Sequence, residues 1–533
     1  MAIDLLVVVL YFAAILTIGL KKGAGESTLE GYALGNRSIP WWAILASILA
    51  SEISAATFLG APGEGYALRN YTYLQLAIGT ILARFIVGSV FVPAYYRHGV
   101  VSIYEFLEKR FGPASRTAAS LVFLVTRALA SGTRLYVAAI LVVLSIEIFM
   151  GRIPTAGEEL AIYALSVVVI VALTALYTAV GGIKAVIWTD FIQAGVLVAA
   201  LAGTLSVLLS KIPGGWHGAR ALLTAPGDLT LFASGLVPGA GLWGNIVAVL
   251  GSEYTLFAAI IGSTFITLAT HGTDQDAVQR MLTGKDAKES RRAVILSGLI
   301  DAPIVLAFLT IGILLWAFYQ THPDPNLPRK NAHVFAYFIL TQLPAGLRGL
   351  LVAALLATAM GSLSTALNAL ATSFCRDFWF RIHPGTEARQ LLVARLATVG
   401  FAFALTVIGA ATAYAVVRFP GTRILPIVLG IFGYTYGSLL GVFLLGLFTT
   451  TRGNDRGNLW AMLVGFLTVA VLSGLPEDIV TLCGGTAPHR PAWLPLIEFP
   501  WRVFFGTLAT VAVGLCFRTR QTVIDAMPRP GSP

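Results

Sequence analysis

Long apolar runs separated by short polar connections dominate the chain. They fall at about 3–20, 41–68, 72–96, 117–149, 157–180, 185–210, 250–271, 293–319, 346–375, 390–417, 424–448, 457–474 and 501–517. About 20 apolar residues at 1.5 Å each cross a hydrocarbon core, so each run predicts a membrane-spanning helix. The pattern is that of an all-α polytopic membrane protein with about thirteen transmembrane helices. The longest pieces outside the spans, about 212–249 and 320–345, are too short to build a core of their own, so residues 1–533 read as one transmembrane domain.

Composition sharpens this. Of 533 residues 57% are hydrophobic and only 12% charged, where soluble domains carry about 25% charge. The 54 glycines and 24 prolines are dispersed, as helices buried among helices allow. Three cysteines, Cys375, Cys483 and Cys516, match no disulfide, zinc or redox spacing. The net charge of +10 forms no long basic run, so nucleic acid is not an expected partner; the lipid bilayer is.

The basic residues also orient the chain. They gather in alternate loops, at Lys21, Lys22 and Arg37, at Arg97, Lys109, Arg110 and Arg116, at Arg280, Lys285, Lys288, Arg291 and Arg292, at Arg376, Arg381 and Arg389, and at Arg518 and Arg520. The positive-inside rule then predicts a plasma (inner) membrane protein with its N-terminus outside and its C-terminal tail, Arg518 to Pro533, in the cytoplasm. The first span has no basic n-region, carries Asp4 and lacks a cleavage site, so it reads as retained. Two five-helix blocks, 41–210 and 250–448, enter from opposite sides, as an inverted repeat requires; spans 3–20, 457–474 and 501–517 lie outside them.

Charges near mid-span are costly and are paired or functional. Glu52, Arg84, Arg134 and Asp301 fall near the midplane, with Arg127 and Asp190 closer to one end. They read either as ion pairs, Glu52 with Arg84 for one, or as the lining of a polar cavity between the repeats. That cavity is expected to present Glu52, Thr57, Arg134, His271, Gln275 and Asp301. Ser47 to Thr57, followed by Gly60-Ala61-Pro62-Gly63, is too small and polar to face lipid. It predicts a broken helix whose freed carbonyls accept a cation, or else a small-residue packing seam. Thr358, Ser362 and Thr365, with Ser364 beside them, place hydroxyls on one helical face; they read as hard cation ligands or as groups bonded back to their own helix.

Four runs give the chain a family resemblance: Ala50-Ser51-Glu52-Ile53-Ser54-Ala55-Ala56-Thr57-Phe58-Leu59-Gly60, Tyr104 to Phe111, Tyr177 to Gln193 with its Trp188-Thr189-Asp190, and Thr273 to Arg280. In this order and hydropathy frame they resemble the sodium/solute symporter family over about residues 1–450. The resemblance implies a five-plus-five inverted-repeat core with broken helices, and sodium as the coupling ion. It places a shared sodium site on the carbonyls of Ala50 and Ile53 with Thr358 and Ser362, and on position 361, where a usual serine is Gly361. It places a second sodium site on Asp190, Ser364 and Thr365.

The substrate is less legible. Sugar-carrying relatives have an aromatic pair where Thr270 and His271 stand. Arg134 offers a fork matched to a carboxylate, or is a salt-bridge partner of Glu52 or Asp301. Val92 to Arg97 and the Trp188-Thr189-Asp190 run lean toward the family's anion-carrying branch. The expected function is sodium-coupled symport of a small organic solute, a monocarboxylate-like anion, by alternating access. The alternatives are a sugar or other neutral solute, a membrane sensor, or an enzyme. No HExxH, GxSxG or paired-histidine motif occurs among the seven histidines, and the tail after Arg518 is too short for a signalling domain.

Overall fold

The computed structural model describes residues 2–150, 152–419, 430–486, 490–491, 493–521 and 523. In chain order its main helices are α1 (Ala2–Gly23), α2 (Trp41–Glu52), α3 (Ala55–Leu68), α4 (Thr72–His98), α5 (Pro113–Met150), α6 (Ala156–Lys211), α7 (Ala258–Gly272) and α8 (Gln275–Met281). They continue as α9 (Ala287–Thr321), α10 (Leu347–Phe374), α11 (Glu387–Arg418), α12 (Ile431–Phe448), α13 (Asp455–Leu472) and α14 (Phe499–Leu515).

Among the described residues nine helices are long and apolar enough to cross a membrane, ten with the bent pair α2 and α3. Length and hydropathy therefore do not reach thirteen. The runs read at 157–180 and 185–210 are two helical halves of α6 joined at Gly182, whose backbone is not helical, while α7 and α14 are shorter than a full span. The run at 424–448 begins outside the described residues, as do residues 524–533 of the tail.

α10 is the most enclosed helix and α1 the most peripheral of these spans. Small residues explain α10: Ala, Gly, Ser and Thr along Ala353 to Ala371 let α6, α5 and α1 approach it closely. Three interruptions position the site. Between α2 and α3 the chain bends by 66°; Ile53 leaves the helix at φ −78°, ψ 88°, and Ser54 caps α3 by accepting the Thr57 N–H. In α6, Gly182 sits at φ 55°, ψ −149°, a conformation that side chains avoid. α7 and α8 are parted at Thr273 and Asp274, and Asp274 caps α8 through the Asp276 N–H.

Candidate functional site

At the α2–α3 break the backbone ladder is redirected. The Ser54 N–H donates to the Glu52 carbonyl at 3.0 Å, and the Thr57 N–H turns to Ser54 Oγ at 3.4 Å. The carbonyls of Ala50 and Ile53, which an unbroken helix would pair with those two donors, are released. The Ala50 carbonyl oxygen lies 3.5 Å from where a β-carbon on Gly361 of α10 would be, and Ser362 of α10 lines a small recess with Ala55. Thr358 donates to the Leu355 carbonyl at 2.7 Å and Ser362 to those of Thr358 and Ala359 at 3.1 Å. Back-bonding uses each hydroxyl proton and leaves the oxygen lone pairs free to accept.

Asp190, on the second half of α6, is fully buried beside this face. Ser47 of α2 donates to its Oδ2 at 2.5 Å, while Oδ1 has no hydrogen-bond partner among the described residues. No arginine lies within ion-pair distance of it among the described residues, so the paired-carboxylate reading of Asp190 does not hold. Ser364 and Thr365 both donate to the Gly361 carbonyl, at 3.1 and 3.0 Å.

A cavity of about 230 Å³ opens on the other side of the break. Glu52, Thr57 and Asp301 line it, with Tyr73, Thr80, Ser263, Thr267 and Thr270 and an apolar wall that includes Phe308 and Phe499. Glu52 pairs with Arg84, whose second arm donates to Ser297 at 2.6 Å, so that charge is internally neutralised. His271 is buried behind the cavity, its Nε2 4.0 Å from Glu52 and its Nδ1 3.0 Å from Thr270 Oγ1. Asp301 has no ion-pair partner within 4 Å among the described residues.

Arg134 is not in that cavity. It lines a separate recess of about 10 Å³, room for one water, with Ala55, Ser131 and Ser362. Its guanidinium lies over the Phe432 ring at 5.0 Å, and no carboxylate is within 4 Å of it among the described residues. The salt bridge to Glu52 or Asp301 is therefore absent. Gln275 is also elsewhere: it accepts the Ile103 N–H at 2.8 Å and donates to the Val101 carbonyl and Gln279, pinning the loop before Tyr104.

Sequence reasoning missed the roles of Gln193 and Ser47 and, having read Arg127 as an ion-pair candidate, missed its partners. Gln193 was visible only as the end of a motif, although it lies three residues after Asp190 and so on the same helical face. Ser47 was read as part of a small-residue run and turns out to be a donor to Asp190. Arg127 pairs with Asp274 and, at 3.0 Å, with Asp276; Arg280 pairs with Asp276 at 2.6 Å and donates to Ser51. The alternation of opposite charges at 274, 276 and 280 was the available signal for that cluster.

A broken helix with freed carbonyls, a hydroxyl-bearing helix near it and a buried unsatisfied carboxylate in an all-helical membrane protein describes an ion-coupled carrier. The model of the sodium:solute symporter family matches residues 32–465, and the chain belongs to that family. It is 28% identical over 473 residues to the sodium/sialic acid symporter SiaT of Proteus mirabilis (strain HI4320), with 87% of each chain covered. To the sodium/glucose cotransporter of Vibrio parahaemolyticus it is 30% identical over 485 residues, covering 85% of this chain and 82% of the other. In fold it matches a substrate-bound outward-open sodium-coupled sialic acid symporter with a TM-score of 0.78, at 24% identity and with 96% and 97% of the two chains covered. It also matches Mhp1, a nucleobase-cation-symport-1 family transporter, with a TM-score of 0.52, at 15% identity and 93% and 95% coverage. The protein is thus a multi-pass, sodium-coupled symporter with the five-plus-five inverted-repeat core of these carriers, and not an enzyme.

Proposed function

We propose that this symporter moves a small hydroxylated carboxylic acid together with sodium, by alternating access, across the plasma membrane. The observation that carries the acid is Arg134: a guanidinium held at the helix break, stacked on Phe432, with its carboxylate partner missing. A half-buried cation without a counter-ion is costly, and a substrate carboxylate would supply one in bidentate form once the recess beside it, about 10 Å³ here, widens to admit it. The hydroxylated body follows from the cavity across the break, where Thr57, Thr80, Thr267 and Asp301 offer oxygen acceptors and the Glu52 charge is already taken by Arg84. Names of relatives agree with both halves, one acting on sialic acid and another on glucose.

For the ion, the reading places one sodium at the Ala50 and Ile53 carbonyls with Thr358 and Ser362, and a second at Asp190 with Ser364 and Thr365. Sodium in the first site supplies positive charge to the freed carbonyls and ties α2 and α3 to α10. Since the recess beside Arg134 shares Ser362 with that site, ion and solute order the same turn of α10, and each raises the other's affinity. The repeats are taken as 41–210 and 250–448, and the basic loops as cytoplasmic.

Proteoliposomes with an inward sodium gradient test this against a sugar acid, its neutral parent sugar and an unhydroxylated short monocarboxylate. Preferential uptake of the sugar acid is expected. Uptake of the parent sugar that the acid does not inhibit would return the neutral-solute reading, and preference for the short acid would remove the hydroxyl requirement.

A further inference from the structure

Gly361 brings no side chain to the hydroxyl-bearing face of α10, so the shell expected there is one oxygen short. The space above it is filled from another helix. A β-carbon at Gly361 would lie 2.6 Å from Gln193 Oε1, 3.4 Å from Asp190 Oδ1 and 3.5 Å from the Ala50 carbonyl oxygen. Both side-chain oxygens are buried and lack a donor among the described residues, on residues that are 2% and 0% exposed. Their companion atoms are engaged elsewhere. Ser47 takes Asp190 Oδ2, and Gln193 Nε2 donates to the Tyr11 hydroxyl at 3.4 Å with the amide oxygen toward the glycine.

Acceptor oxygens buried together without a donor destabilise the protein unless something positive lies between them. One carboxylate, one carboxamide and one main-chain carbonyl make a hard, all-oxygen set of the kind that binds cations of the alkali and alkaline-earth groups. A serine at 361 could not coexist with Gln193 in this position, because its β-carbon alone would meet Oε1 at 2.6 Å. Glycine and the inward glutamine therefore go together.

We infer that Gln193 is a sodium ligand in this chain, its carboxamide oxygen standing in for the hydroxyl that Gly361 lacks, so that the ion at Asp190 is held between α6 and the Ala50 carbonyl. The assignment rests on the sodium-coupled reading above and adds a ligand to it.

The test is sodium binding to the purified full-length protein, read as the rise in unfolding temperature with sodium chloride against choline chloride, with no substrate present. Gln193→Leu removes the oxygen and is expected to raise the half-saturating sodium concentration by roughly tenfold, the scale of one lost ligand to a charge. Gln193→Met, closer in shape, gives the same loss if leucine does not fold. Gln193→Leu combined with Gly361→Ser returns an oxygen to the same space and is expected to recover most of the affinity, which a merely structural glutamine would not allow. An unchanged half-saturation in Gln193→Leu or Gln193→Met, or a folded double variant without recovery, overturns the ligand assignment. A wild-type protein that sodium does not stabilise at all overturns the coupling reading itself.

Discussion

Arg134 is where residue-scale chemistry decides most. A guanidinium with no carboxylate within 4 Å among the described residues, lining one recess with Ser362, is placed for a substrate anion. Arg134→Lys keeps the charge but loses the planar fork, and the half-saturating concentration of the acid is expected to rise about tenfold. Arg134→Ala should also erase the preference for the acid over its parent sugar. If Arg134→Ala takes up the acid with unaltered affinity, the guanidinium has only a packing role on Phe432. Asp190 makes the ionic counterpart: Asp190→Asn keeps the Ser47 contact in shape and removes the charge, so sodium activation of uptake should become weaker or less steep while the protein still inserts. Unaltered sodium activation in that variant would take Asp190 out of the site. These residues were legible because a charge inside an apolar run is conspicuous. Gln193 was not, since a neutral amide in a helix carries no such signal until the missing side chain opposite is seen in three dimensions. The Glu52–Arg84 pair was readable as an option, but choosing it over a pairing with Arg134 needed the structure.

At the scale of elements, the breaks in the helices set where ligands fit. The α2–α3 break was visible as a run too small and polar for lipid, and its position at Ile53 and Ser54 follows from a serine able to cap the second half. The bend in α6 was visible only as a gap between two apolar runs, and hydropathy cannot tell a loop from a kink. Gly182 makes it a sharp break of one residue: at φ 55° with ψ −149° the backbone leaves helical geometry between the two halves, and the Tyr32 carbonyl oxygen lies 2.5 Å from where a β-carbon would be. Gly182→Ala should therefore combine backbone strain of about 1–3 kcal/mol with a clash against main chain that cannot swing aside. A markedly lower unfolding temperature in detergent is expected, with loss of the sodium-induced rise, because Asp190 and Gln193 ride on the half of α6 that the bend aims. A variant as stable as wild type, with normal sodium response, would show that the kink does not set the site.

For the whole molecule, the distribution of ion pairs points to the closed end. Arg116 of α5 gathers Glu108 at 2.5 Å, Asp377 at 2.8 Å and Glu105 at 3.5 Å, and Asp377 also accepts from Ser102, Ser120 and Ser373 at 2.7–2.8 Å. This cluster binds the helix Tyr104–Arg110, the start of α5 and the residues after α10 into one block. A second cluster, Arg127 with Asp274, Asp276 and Tyr436, then Arg280 to Ser51, joins α5, α8 and α12 to the turn just before the break. Alternating access requires contacts of this kind to part as the cavity turns to the opposite side. Asp377→Asn leaves the shape intact and removes one of the three carboxylates around Arg116, a loss of about 1.5 kcal/mol, or roughly tenfold in the ratio of closed to open forms of this end. Faster amide hydrogen exchange over Tyr104–Arg110 is the expected outcome. Sodium should slow it again, in wild type and variant alike, because an ion that ties the break to α10 favours the form in which Arg280 holds Ser51. Exchange over Tyr104–Arg110 that responds neither to Asp377→Asn nor to sodium would mean that this end stays shut throughout transport, and the moving barrier would have to be sought among the contacts around the cavity instead.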